Sequence, residues 1–185
     1  MSHICLPPLE NDVAELLKHA QSDVWIVSPW IKYDALRCIP EFVLKQCNLK
    51  VISAATLRDF LEETSDIDAF QKLVDSGAHV RLINNLHAKV YVVDSKHAII
   101  TSANLTNAGL RANIEIGVYI ADDQVEAVVT ELGNWFAKAK PIDSQWLNQM
   151  RTLIKEKQNA FTRASKQSQN ATRCGYSLLG PRIPV

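Results

Sequence analysis

Short apolar runs of strand length alternate along this chain with segments whose apolar residues fall at helical spacing. That alternation is the pattern of a layered α/β domain. Val24-Trp25-Ile26-Val27 ends at Ser28-Pro29 and reads as a buried strand followed by a loop, and Leu49–Ala54 reads as a second strand. Further strands are expected at His79–Ile83, His87–Val93, Ala98–Thr101 and Ile114–Ile120, with Asp94-Ser95-Lys96 as a turn. Val13, Leu16, Leu17 and Ala20 place a helix over Glu10–Gln21. Other helices are expected over Asp34–Gln46, where Pro40 limits or kinks the helix, over Thr56–Glu63, and over Asp66–Ser76 with Gly77 as its stop. Another runs from Asp122-Asp123 to about Lys138, and a basic helix from about Ser144 precedes an irregular tail with Gly and Pro. Because Val80–Ile120 is strand-rich with short connections, the sheet should be mixed rather than purely parallel. The expected fold class is therefore α/β: a mixed β-sheet flanked by helices on both faces, one domain over residues 1–140, and a helical basic extension over 141–185.

The chain has 185 residues, 47% of them hydrophobic, which suffices for one domain with its own core. No apolar run is long enough to span a bilayer, so no membrane association is expected. Met1-Ser2-His3-Ile4-Cys5 has no basic stretch leading into an apolar one, and the four cysteines form no Cys-x-x-Cys pair. Both features lead us to expect a cytoplasmic protein with reduced thiols. Net charge is zero, but its distribution is uneven. From Lys138 onward there are nine Lys+Arg against two Asp+Glu, and before it 11 against 18. Such a segment suits a polyanion or an acidic protein surface. A solvated tail, or one docked on its own acidic body, is the equal alternative.

The chemistry concentrates in His87-Ala88-Lys89-Val90-Tyr91-Val92-Val93-Asp94, followed by Thr101-Ser102-Ala103-Asn104 and Asn113-Ile114-Glu115. Side chains two apart on a strand share a face, so His87 and Lys89 should emerge together, as should Ser102 and Asn104. An imidazole, an ammonium, a hydroxyl and an amide converging on one point suit phosphoryl transfer. The imidazole can attack phosphorus while the donors hold the oxygens that gain charge. No His-Glu-x-x-His, cysteine pair, aspartate cluster or glycine-rich phosphate loop appears, so neither a metal nor a nucleotide cofactor is expected. Trp25, Trp135 and Trp146 read as packing residues, whereas Trp30 is a candidate for the cleft wall.

The pattern His-x-Lys-x(4)-Asp, with Ser-x-Asn after it and a glutamate beyond, resembles the phospholipase D superfamily, and in particular its small single-motif nucleases. Thr101 departs from the family's usual glycine before the serine. The resemblance implies a metal-independent phosphodiesterase in which His87 is the nucleophile and forms a phosphohistidine. It implies that Glu115 accepts a hydrogen bond from the other ring nitrogen, and that Lys89 and Asn104 bind phosphate oxygens with Ser102 assisting. Asp94 completes the signature and, following its strand, could cap the turn. The mechanism needs a second histidine, and His3, His19, His79 and His97 all lack the following Lys and Asp. A symmetric homodimer supplies it from a second copy of His87. A nuclease acting on DNA or RNA is the first expectation. A phospholipid phosphodiesterase or phosphatidyl transferase is the second, and a nucleic-acid-binding module that does not cut is the third. A further protein partner for the C-terminal extension is left open.

Overall fold

Eight strands form a single sheet in the order β1-β7-β6-β5-β2-β3-β4-β8. The computed structural model describes residues 2–175, with side chains through residue 160. The central strands follow the apolar runs: β2 (Asp23–Val27), β3 (Asn48–Ser53) and β4 (His79–Leu82) are parallel neighbours. β5 (Lys89–Val93) lies antiparallel beside β2 and continues through the hairpin to β6 (His97–Thr101) and then β7 (Gly117–Ala121). The expected mixed sheet is therefore present. Two edge strands fall outside the expectation. β1 (His3–Cys5) pairs with β7, and β8 (Lys140–Pro141) pairs with β4.

Strand alternation divides the apolar side chains between two cores. On one face Val24, Ile26, Val51, Tyr91, Val93 and Ile99 pack with Val13 and Leu17 of α1 (Glu10–Lys18) and Phe70 and Leu73 of α4 (Ile67–Asp75). On the other, Trp25, Val27, Ile52, Val90, Val92 and Ala98 pack with Val125 and Leu132 of α5 (Asp123–Lys138). Helices thus cover both faces, as the near-continuous apolar character of β2 and β5 requires. Pro40 divides the expected Asp34–Gln46 helix into a 3-10 turn at Tyr33–Cys38 and α2 (Glu41–Gln46), because its ring precludes continuation. α3 (Leu57–Leu61) is short and opens on a reciprocal cap between Thr56 and Asp59.

α6 (Ser144–Gly175) begins against the body rather than apart from it. Leu147 is fully buried, and Trp146, Met150 and Ile154 pack on the first core alongside Ile142. The boundary expected at 140/141 falls inside β8. The irregular tail expected beyond the helix lies outside the described residues from position 176 on. Among the described residues no helix is long and apolar enough to cross a membrane.

Candidate active site

The site assembles where three strands align. Lys89 at the start of β5 pairs with Thr101 at the end of β6, and Thr101 pairs with Gly117 at the start of β7. Residues just outside that row therefore meet at one end of the sheet: His87 before β5, Ser102 and Asn104 after β6, and Glu115 before β7. The carboxyl end of β2 opens onto the same end, because Val27 pairs with Val90. Ligands in open α/β sheets bind at such carboxyl ends, where the order of strands reverses.

His87 lies in the loop ahead of β5 rather than in the strand expected to contain it, and it is exposed. Lys89 is only 4% exposed. Its Nζ donates to the main-chain carbonyl of His87 at 2.7 Å and stands 3.4 and 3.3 Å from the ring's Nδ1 and Nε2. The in-plane directions of the two ring nitrogens diverge, so an ammonium nearly equidistant from both is aligned on neither. Burial pushes the Lys89 ammonium below the ordinary lysine range, while the nearby Glu115 carboxylate acts in the opposite direction.

Ser102 Oγ donates to Glu115 Oε2 and accepts from the amide of Ile116 at 3.1 Å. The other carboxylate oxygen accepts from Asn113 Nδ2 at 3.3 Å. The expected hydrogen bond from His87 to Glu115 is not formed: the carboxylate is held by Ser102 and Asn113 instead. The expected strand over Ile114–Ile120 begins only at Gly117, which leaves Glu115 on the connecting segment and free of the sheet's pleat. Thr101, the departure from the glycine of the resembled motif, fits without backbone strain. Its Oγ1 donates to Ile116 O at 2.9 Å and accepts from the Ala103 amide at 3.1 Å. The space comes from Gly117 opposite, where a β-carbon would approach that of Thr101 to 3.3 Å.

Asn104 is placed from two sides. Leu105, the next residue, is held by its amide to Ser28 Oγ at 2.9 Å and by its carbonyl to the Lys32 amide at 3.0 Å. A π-helical turn at Ala108–Ala112 then brings Gly109 against the Asn104 backbone so closely that a β-carbon would lie 2.6 Å from Asn104 O. Among the described residues, Asn104 Oδ1 is buried without a hydrogen-bond partner. Gly109 was not singled out from the sequence, and Asn113 was given no role there. The one local signal for Gly109 was a glycine directly after the run of small residues Thr106-Asn107-Ala108.

Asp94 is not brought to this cluster. It sits at the other end of β5, about 20 Å away at the usual rise per strand residue. There it occupies a left-handed position (φ 51°) in the β5–β6 turn. Its carboxylate accepts from the amides of Gln21, Ser22 and Asp23 at 2.9–3.0 Å and from Ser22 Oγ at 3.1 Å. Partial burial works to raise its pKa, and these donors outweigh it and hold the carboxyl below its usual range. The signature aspartate here anchors the entry of β2.

Comparison with known proteins agrees with the topology. The family model described as "Cardiolipin synthase, PLD-like domain" matches residues 13–140. Over 153 residues, 75% of this chain, the sequence is 31% identical to cardiolipin synthase A of Pseudomonas putida, covering 31% of that protein. Over 60 residues it is 40% identical to the DISARM protein DrmC of Bacillus paralicheniformis, covering 25% of it. The chain thus spans about a third or less of the length of these curated relatives. Among solved structures it is similar to Nuc, a phospholipase D family member from Salmonella typhimurium, with TM-score 0.67 and 17% identity over 78% of this chain and 99% of that one. It is also similar to phosphatidylserine synthase of Haemophilus influenzae, with TM-score 0.63 and 18% identity over 91% of this chain and 46% of that one. The matched span runs from α1 to the start of β8 and takes in His87, Lys89, Ser102, Asn104 and Glu115, so the chain belongs to the phospholipase D-like domain family.

Proposed function

We propose that this protein is a metal-independent phosphodiesterase that cleaves nucleic acid through a phosphohistidine on His87, in a site completed by a second copy of the chain. One observation carries the reading: the buried ammonium of Lys89 stands against the ring of His87, and the other histidines lie elsewhere. His97 and His79 begin β6 and β4 at the opposite end of the sheet, and His3 and His19 line a separate crevice with His97. In this reading a nitrogen of His87 attacks phosphorus, and the P–O bond to the leaving group breaks. The partner's copy of His87 gives that oxygen its proton. Water then attacks phosphorus and yields its proton to the same partner imidazole, and the P–N bond breaks. Lys89 and Asn104 hold the non-bridging oxygens as charge develops, and Ser102 with Asn113 fixes Glu115 beside them. Ile114 and Ile116, 99% and 56% exposed, flank Glu115 with apolar surface of the kind a two-fold interface buries. Nine basic residues beyond Ala137 suit a polyanionic substrate.

The similarity to cardiolipin synthase A supports a second reading, in which the same phosphohistidine is resolved by an alcohol rather than by water and the substrate is a phospholipid. A third, non-cleaving reading draws on the fold shared with TrmBL2, described as an archaeal chromatin protein with a novel mode of DNA binding (TM-score 0.53). A panel of single- and double-stranded DNA, RNA and phosphatidylglycerol vesicles, incubated in excess EDTA with His87→Ala as control, separates them. We expect nucleic acid to be cut and DNA to compete with a chromogenic phosphodiester. Turnover confined to the lipid would establish the second reading, and binding without turnover the third.

A further inference from the structure

A crevice of about 280 Å³ opens beside Asn104. It is lined by Trp30, Thr64, Asn104, Thr106, Asn107 and Asn113. Trp30 is 39% exposed yet firmly held. Its Nε1 donates to Asp59 Oδ1 at 3.1 Å, and its carbonyl accepts from the buried hydroxyl of Ser28 at 2.7 Å. Asp59 is itself locked by the Thr56 cap at the start of α3. An aromatic plane fixed in this way loses little entropy when a flat ligand stacks on it.

Charge decides what kind of group enters. Lys32, the cation on this wall, is already paired with Asp66 at 2.7 Å, and two acidic residues, Asp34 and Glu63, line the same crevice. A second phosphate would meet repulsion there. A neutral group with amino and carbonyl edges would meet acceptors in the carboxylates, and both donors and acceptors in the amides. Size points the same way. The volume is below the roughly 300–1,000 Å³ of sites that enclose drug-sized ligands, so it takes one ring system and not a pair of acyl chains.

We propose that this crevice is a subsite for one nucleobase adjoining the scissile phosphate, stacked on Trp30, so that the bound strand is unpaired there. Asn113 joins the two parts, since it lines the crevice and donates to Glu115. The inference rests on the nucleic-acid reading above. A base in a duplex offers no free face, so the subsite selects single strands or frayed ends.

The test compares hydrolysis of a thymidine oligomer, an abasic oligomer of equal length, and methyl 4-nitrophenyl phosphate. Tryptophan fluorescence of His87→Ala titrated with both oligomers is read alongside. Wild type should process the thymidine oligomer at least tenfold better in kcat/KM than the abasic one, and only the former should quench fluorescence. Stacking on one aromatic side chain corresponds to roughly a ten- to hundredfold effect. Trp30→Ala should therefore lower the ratio of thymidine-oligomer to small-diester kcat/KM by about that factor, and Trp30→Phe should restore most of it. Equal use of both oligomers by wild type would overturn the subsite while leaving the nuclease reading intact. Hydrolysis of the small diester alone, with no quenching by either oligomer, would overturn both. Base-dependent quenching without turnover of any substrate would uphold the subsite and overturn the catalytic reading.

Discussion

The ammonium of Lys89 donates to the main-chain carbonyl of His87 at 2.7 Å, so the cation of the motif also ties down the loop that presents the imidazole. A lysine this far from solvent holds its proton less tightly than in the unfolded chain, where its pKa is about 10.4. Between the depressed folded value and the unfolded one, the unfolded chain binds more protons, so stability rises with pH through that window and burying the charge is a net cost below it. Activity should accordingly fall on an alkaline limb below the ordinary lysine pKa. Lys89→Arg, whose guanidinium stays charged, should lack that limb, and Lys89→Met should melt no lower than wild type with activity reduced at least about a hundredfold. A pH–rate profile with the limb unchanged in Lys89→Arg would assign it to another group.

Gly109→Ala should disable the site without altering any reacting group. The backbone of Gly109 is one that alanine adopts, since its φ is not positive. The added carbon, however, would lie 2.6 and 2.8 Å from O and N of Asn104. Asn104 has to move, and a displacement on the order of 1 Å at a phosphate-binding group costs about a hundredfold in rate. Kinetics on a small diester, with circular dichroism to confirm the fold, decide this. Activity within threefold of wild type would mean that Asn104 needs no such support.

Asp94 should behave as an anchor. Asp94→Ala removes four hydrogen bonds to the start of β2. At this partly solvated rim the loss should be about 1–2 kcal/mol, discounted from the larger value for bonds to a fully buried charge. Asp94→Asn, which tolerates the left-handed backbone and keeps an acceptor, should lose less. Because the folded pKa is depressed, the stabilisation is present above the unfolded value near 3.9 and disappears as pH falls through the folded one. Denaturant titration of both variants, with kcat measured on the folded fraction, checks the assignment. A large loss of kcat in Asp94→Asn at full stability would return this residue to the reaction.

Much of this was legible beforehand, and for identifiable reasons. β2 and β5 alternate apolar residues between two helix-covered faces, so both runs stand out. β1 and β8 are three and two residues long and close the sheet edges, which leaves no periodicity to read. Ile114 and Ile116 suggested a strand that starts three residues early, because apolar residues normally mark burial, whereas these are exposed at the rim of the site. The spacing of His87 and Lys89 suggested that the two sit together, and they do, although His87 lies ahead of β5 rather than in it. The Ser102–Glu115 contact and the seat of Gly109 did not follow from spacing, because both depend on the irregular path from Asn104 to Gly117. The distance of Asp94 from the site follows from the length of β5, which the strand prediction already contained.

If one site is shared by two subunits, a heterodimer of wild type and His87→Ala has either the nucleophile or the acid, but not both. Equal amounts of the two proteins, unfolded together and reassociated at random, should retain about one quarter of the wild-type activity on a natural phosphodiester. Independent sites would retain about one half. A mixing curve linear in wild-type fraction, with subunit exchange verified by differential tagging, would refute the shared site.

The covalent intermediate tests the central claim most directly. Wild type turning over a single-stranded oligonucleotide in excess EDTA is quenched in alkaline denaturant, which preserves phosphohistidine, then digested and examined by mass spectrometry. The account predicts a nucleotidyl adduct on His87 within the His87–Val93 segment, absent from His87→Ala and chased away on further incubation once free substrate is exhausted. Turnover with no adduct on His87, or turnover that appears only when a divalent metal is added back, would contradict it.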